Sequence, residues 1–209
     1  MDRTRQHQAG HVERPLSALD VIFTRRSVHA YEKRRLPQAT IRALLDAAVR
    51  APTDMHAEPW LFLVIQDENT LARYSDIAKS IAIAEMDASP GKPRPHETDR
   101  EQVLARLRDP GFSVFHNAST LIVIYGRSKG PFVAADCWLA AGNLMLAACA
   151  LGLGTCLIGV AAAAFDSPDA KDEFGLPSES FAVAPLVIGV PAGPAGDAPS
   201  RREPDIIWK

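Results

Sequence analysis

Residues 51–60, APTDMHAEPW, lead straight into the apolar run WLFLVI at residues 60–65. A connector that only turned the chain would need a glycine or a proline and little else. This one carries Pro52, Pro59, Asp54, Glu58, His56 and Trp60 in a single short stretch. Such density exceeds what a turn between a helix and a strand requires.

The flanks supply that helix and that strand. Upstream, Ile41, Leu44, Leu45, Ala48 and Val49 recur at helical spacing behind Pro37, which predicts an amphipathic helix stopped by Pro52. Further back, Pro15, Ser17 and Asp20 predict the entry to a short helix bearing Leu16, Leu19, Val21, Ile22 and Phe23, which ends at Thr24-Arg25-Arg26-Ser27. Downstream, WLFLVI, LIVIY at 121–125 and the run at 182–190 are continuous apolar stretches of strand length, as expected of buried strands. Helices are expected near 69–86 and 98–107. The proline-rich SPGKPRP at 89–95 lies between them and makes residues 86–110 a candidate substrate lid.

Pro131 opens a long, nearly all-round apolar helix to about residue 150, expected to be buried on most sides, in the core or at a subunit interface. ACALGLGTCLIGV then turns into another strand, and Ser167 caps a short helix. Helices and strands alternate without strict βαβ repetition, which favours an α+β sandwich over a doubly wound sheet. Residues 1–14 are polar and expected to be flexible, with one domain over 15–209. In the tail, PAGPAGDAPSRREPDIIWK at 191–209, a Pro/Gly/Ala linker precedes Ile206, Ile207 and Trp208, which are too apolar to remain in water and are expected to dock on a partner.

Composition narrows the function. With 209 residues, 47% hydrophobic and 23% charged, the chain has the balance of a globular protein, and its net charge of −2 offers no broad attraction to nucleic acid or to an anionic membrane. The first residues lack the apolar core of a secretory signal and no uninterrupted apolar run reaches transmembrane length, so a cytoplasmic location is expected. Cys137, Cys149 and Cys156 match neither a CxxC pair nor paired zinc ligands and read as buried free thiols. Asp54, His56 and Glu58 could together hold a metal, but no matching cluster lies elsewhere in the sequence, and no metal is expected.

The familiar cofactor and hydrolase motifs are missing. GLGTCLIG at 152–159 spaces its glycines as G-x-G-x-x-x-x-G and leads from helix into strand, the reverse of a dinucleotide fingerprint. There is no GxxxxGK[ST], HExxH or GxSxG. Arg25-Arg26-Ser27 gathers two guanidiniums and a hydroxyl suited to a phosphate, although on these residues alone the better reading is two solvated arginines favoured by the dipole at a helix C-terminus. Arg201-Arg202 poses the same question near the other end of the chain.

In combination these pieces are more specific. TRRSVHAYEKRRLPQATIRALLDAAVRAPTDMHAEPWLFLVIQD resembles the opening block of the flavin-dependent nitroreductase family, whose pattern is R-R-S-x-R-x-[FY], an amphipathic helix, then A-P-S-x-x-N-x-Q-P-W and a strand. The resemblance continues through FHNASTLIVIYG, DCWLAAGNLMLAACALGLGTCLIG and SRREP, covering most of the chain from about residue 17.

It implies a three-layer α/β/α sandwich of the α+β class with a mixed, mainly antiparallel sheet, a homodimer with two FMN at the subunit interface, and NAD(P)H as electron donor. By the same resemblance Arg25 and Arg26, with Ser27, would meet the FMN phosphate and ribityl chain, and Arg201 or Arg202 would close over the phosphate. Pro52, Thr53, Met55 and His56 would contact the flavin of the other subunit. Gly159, with Ile158, would bring backbone N–H groups near flavin N5 and O4, where a glycine permits close approach.

The implied reaction is ping-pong hydride transfer through N5 to a small-molecule acceptor such as a nitroaromatic or quinone, with no side chain required as acid or base. Three departures stand out: His56 where the family has Asn, Glu58 where it has Gln, and His29 at the second arginine position of the opening motif. Neutral histidine offers one donor and one acceptor, and the cation only donors, so His56 with Glu58 would make flavin affinity or reactivity depend on pH. Other readings of the same chain are a different flavin reaction such as dehalogenation or flavin cleavage, a flavin-binding protein without turnover, and a structural α+β dimer.

Overall fold

TLIVIYG has no polar face to offer to water, so a strand made from it must be covered on both sides. In the computed structural model, which describes residues 17–88, 100–193 and 201–209, this run is β2 (Thr120–Gly126), buried at every position. It pairs antiparallel with β1 (Trp60–Ile65), Trp60 opposite Gly126 and Ile65 opposite Leu121. On its other side it pairs antiparallel with β4 (Phe181–Gly189), across a bulge between Ile124 and Tyr125. β3 (Gly154–Leu157) closes the far edge against β4, giving the order β1-β2-β4-β3. All four strands are antiparallel. The parallel contribution is a single bridge, Ser27 to Thr155.

The pleat sends alternate side chains of β2 into two separate cores. Leu121, Val123 and Tyr125 join a core built with α3 (Glu68–Ala88), α4 (Arg100–Arg108), α6 (Ala162–Phe165) and α7 (Pro168–Phe174). Ile122 and Ile124 join the other, built with α2 (Gln38–Ala48) and α5 (Val133–Ala150). Two helical layers with a sheet between them make the expected three-layer sandwich.

Local chemistry sets the helix ends. At α1 (Ala18–Thr24), Ser17 and Asp20 form a reciprocal capping box: the Asp20 N–H donates to Ser17 Oγ at 3.2 Å and the Ser17 N–H to Asp20 Oδ2 at 2.8 Å. Ser167 caps α7 through the Ala170 N–H at 3.2 Å, with Pro168 in the first turn. α2 buries Ile41, Leu44 and Ala48 and ends at Ala48, four residues before the proline expected to stop it.

Several polar groups buried in the two cores find partners within the chain. Lys79, almost fully buried, donates to Phe112 O at 3.0 Å and pairs with Asp76 at 2.8 Å. The Tyr125 hydroxyl donates to Phe165 O at 2.9 Å, and Gln66 Nε2 donates both to Leu36 O and to Thr120 Oγ1 at 2.9 Å.

α5 is only partly covered within the single chain, which leaves the expected alternative of a subunit interface open. Cys137, Ala140, Ala141, Leu144 and Ala148 are buried, but Trp138 is 44% and Leu139 48% exposed, so only one face belongs to the core of the single chain. By length and composition alone this helix could cross a membrane, although Asp136 and Asn143 interrupt it. Cys149, expected to be buried, is only partly so, and the three thiols are free. The expected flexible segment 1–14, the centre of the proposed lid (89–99) and the linker part of the tail (194–200) lie outside the described residues.

At Gly126 the packing leaves no room for a side chain. A Cβ on Gly126 would meet Val133 Cγ1 at 2.6 Å and the Phe181 ring at 2.7 Å. Gly126→Ala should therefore destabilise the protein by about 1–3 kcal/mol through overpacking, read as a lower urea midpoint. Tyr125→Phe should lower stability by about 1 kcal/mol, because it leaves the buried Phe165 carbonyl unpaired.

Candidate functional site

The expected site residues fall into two groups on opposite edges of the sheet. Arg25, Arg26 and Ser27 leave the end of α1 and run beside β3, where Ser27 bridges Thr155 and the Val28 N–H donates to Thr155 O at 3.0 Å. Ile158 and Gly159 continue β3 on that edge. Pro52, Thr53, Met55 and His56 precede β1, the other edge strand. With β2 and β4 between them, the edge strands lie about 14 Å apart at ordinary strand spacing. One chain does not bring the two groups together.

At the β3 edge, Arg25 and Arg26 are half-buried. Arg26 donates through one terminal nitrogen to Phe23 O at 2.9 Å and to Arg25 O at 2.7 Å. Its Nε is the one buried side-chain polar atom among the described residues that has no partner, an uncommon state for a buried donor. The Ile158 N–H donates to Pro185 O at 2.8 Å, which ties the chain back to β4. The donor role expected of both residues is thus left to Gly159. That residue is exposed, and a Cβ placed on it would touch nothing within 4 Å, so a flat ring has room to approach its backbone. A phosphate-bearing flavin therefore fits the groups present: paired guanidiniums with an orphaned donor, and an open glycine.

At the β1 edge, the connector is exposed from Asp54 to Glu58, and Met55 is 89% exposed. Met55, His56 and Glu58 have φ of 48°, 58° and 44°, left-handed conformations that cost energy in residues other than glycine. Two side chains hold this shape. The buried Asp136 carboxylate accepts the Asp54 N–H at 3.3 and 3.4 Å, and Thr53 Oγ1 accepts the Glu58 N–H at 3.4 Å. Trp60 behind them is buried as an anchor. Asp136 had no sequence signal beyond a carboxylate in an apolar helix.

Arg201 and Arg202 lie in the exposed segment 201–209, which forms neither helix nor strand and in which Ile206, Ile207 and Trp208 are also exposed. More apolar surface stands open on α1 and α5: Leu19, Ile22 and Phe23 on the former, Trp138 and Leu139 on the latter. Monomeric proteins rarely leave so many large apolar side chains together in water.

A cluster that the sequence did not announce lies next to Ser27. His29 and His116 meet edge to face with ring centroids 4.7 Å apart, and Cys156 on β3 completes a triad. Burial, aided by His29 and Arg106, pushes His116 down to about 4. Burial also raises the Cys156 thiol, against the opposing effect of Arg25.

Comparison with known proteins agrees with the fold and the sequence blocks. A model of the Nitroreductase family matches residues 22–190. A putative NADH dehydrogenase/NAD(P)H nitroreductase of Archaeoglobus fulgidus is 26% identical over 198 residues, covering 91% of this chain and 96% of the relative. An iodotyrosine deiodinase of Thermotoga neapolitana is 25% identical over 186 residues, covering 84% and 89%. The crystal structure of an FMN-bound nitroreductase from Bacteroides fragilis superposes with a TM-score of 0.76 at 23% identity, covering 93% of this chain and 100% of that one. With the three-layer sandwich in place and the matched region spanning every strand, the chain belongs to the Nitroreductase family.

Proposed function

We propose that this protein is an FMN-dependent NAD(P)H oxidoreductase acting on nitroaromatic or quinone-type acceptors, working as a cytoplasmic homodimer with FMN at the subunit interface. The observation that carries the reading is the division of the candidate residues between opposite sheet edges. A second copy is needed to complete a site from both groups, and the open apolar faces of α1 and α5 supply a surface for it.

When bound, FMN would supply a two-electron carrier between a nicotinamide donor and an acceptor. The protein's part is binding and positioning. Arg25 and Arg26 hold the phosphate with charge-assisted hydrogen bonds, with the Arg26 Nε unused by the fold and Ser27 adding a hydroxyl. Arg201 or Arg202 closes over the same phosphate once the tail, through Ile206, Ile207 and Trp208, docks on the partner. Gly159 directs a backbone N–H at the ring edge, where the first N–H groups of a short helical turn lack intrahelical partners. Pro52, Thr53, Met55 and His56 cover the ring of the partner's flavin, and the left-handed backbone held by Asp136 fixes their position. No side chain serves as acid or base.

The deiodinase relative supports a second reading, reductive dehalogenation on the same site. An iodinated tyrosine and a nitroaromatic, offered separately to the reduced protein, distinguish the two: whichever reoxidises the flavin at the faster rate identifies the reaction class.

The protein as purified should show flavin absorbance that bleaches on anaerobic addition of NADPH or NADH. Bound flavin that neither nucleotide bleaches would overturn the NAD(P)H reading, and a colourless protein that refuses added FMN would overturn the flavin site itself. Replacing Arg25 and Arg26 by Ala should weaken FMN roughly 10- to 100-fold per arginine, so that dialysis removes it. Full retention would exclude the phosphate assignment.

A further inference from the structure

We propose that His29, His116 and Cys156 form a binding site for a borderline-soft transition-metal ion, Zn2+ being the expected occupant, held by two imidazole nitrogens and one thiolate. The proposal rests on the geometry of the triad and is independent of the flavin reading. One ligand atom from each residue lies within 4.8 Å of the other two. Tetrahedral zinc with bonds of about 2.0–2.3 Å places its ligand atoms roughly 3.3–3.7 Å apart. The triad therefore closes around an ion by about 1 Å, within reach of small side-chain rotations.

The fold brings these residues together from three separate places. Cys156 is fixed on β3, buried and opposite Val187 of β4. His29 follows the segment that the Ser27–Thr155 bridge clamps to the same strand, with Tyr31 tied back through its hydroxyl to Val28 O at 2.8 Å. His116 sits in the tight turn before β2, with φ of 52°, followed by Asn117 at 57°. Two successive left-handed residues without glycine are costly, and such strain persists where the surroundings hold it and a site uses it. Among the described residues neither imidazole spends a ring nitrogen on a protein hydrogen bond. Both rings therefore keep a lone pair available to an ion.

An ion also has a way in. A cavity of about 260 Å³ opens on His29 and His116 and is lined further by Arg106, Phe112, Ser113 and Asn117. Three protein ligands leave a fourth position, to be taken by water or a small anion that the cavity at the two imidazoles can admit. Arg25 beside Cys156 and Arg106 beside His116 are the charged groups facing the triad. Both oppose an added cation, and the thiolate formed on binding offsets that charge, its proton passing to solvent. Two nitrogens and a sulfur suit zinc, whereas magnesium demands oxygen ligands.

The test is calorimetric titration of the flavin-loaded protein, stripped with chelator and dialysed, with Zn2+ alone and with Mg2+ alone. Flavin absorbance is followed throughout, so that loss of flavin is read separately from metal binding. About one Zn2+ per chain should bind and Mg2+ should not. Cys156→Ser and His116→Asn, the latter chosen because Asn tolerates left-handed backbone, should each weaken Zn2+ at least tenfold, whereas Cys149→Ser should leave binding unchanged. His29→Gln, at an exposed position, gives the same loss without disturbing the core. Co2+ in place of zinc should give thiolate charge-transfer absorption that Cys156→Ser abolishes. Failure of Zn2+ to bind, or binding unaltered in these variants, would overturn the site.

Discussion

β2 is apolar on both faces, and everything else in the architecture answers that constraint. Its odd and even side chains enter two different cores, so one helical layer cannot suffice and the sheet becomes the middle of three. Both flanks of β2 are also taken, by β1 and β4. What the sheet leaves free for chemistry is its two edges. The connector 51–59 enters at one and the Arg25–Ser27 segment lies along the other, so the separation of the two candidate groups follows from the burial of the central strand.

The same constraint governs the exposed apolar surface. α5 needs only one face to cover Ile122 and Ile124, yet its sequence is apolar nearly all round. The surplus appears at Trp138 and Leu139, and α1, which meets the far end of α5 at Cys149, carries a similar surplus at Leu19, Ile22 and Phe23. α5 also carries Asp136, whose buried carboxylate holds the left-handed connector. One helix therefore links the core, the apolar outer face and the shape of the loop that projects beside it. The strain in Met55, His56 and Glu58 is of order 1–3 kcal/mol per residue, and a loop held at that cost has a geometry to keep.

Much of the fold was legible because its signals are local. Ser17 with Asp20, and Ser167 with Pro168, announce helix starts by chemistry acting within one turn. WLFLVI and LIVIY announce buried strands by composition alone. The long apolar helix was legible as a helix, but not in how its faces divide between core and surface, since an all-round apolar sequence carries no periodicity to assign a side. That the Ile158 N–H is spent inside the fold was hidden for a related reason: whether a backbone N–H is free depends on which strand lies alongside, here β4 at Pro185, and no residue type encodes that. The triad was invisible for the same cause. Its members stand at 29, 116 and 156, and metal-site reading by spacing finds ligands only when they are close in sequence.

His29 shows how one substitution can read differently in sequence and in space. In the motif it is a departure, an imidazole where the pattern has a guanidinium. In the structure that position faces His116 at 4.7 Å, with Arg25 and Arg106 already nearby. A third guanidinium there would add a third positive charge to a partly buried corner that holds no carboxylate among the groups acting on His116 or Cys156. An imidazole avoids that repulsion, packs edge to face on its neighbour, and leaves a nitrogen lone pair beside the Cys156 sulfur. The departure at 29 and the positions of His116 and Cys156 are thus mutually consistent, and it is this consistency across distant parts of the chain, rather than any single residue, that distinguishes the corner from ordinary surface.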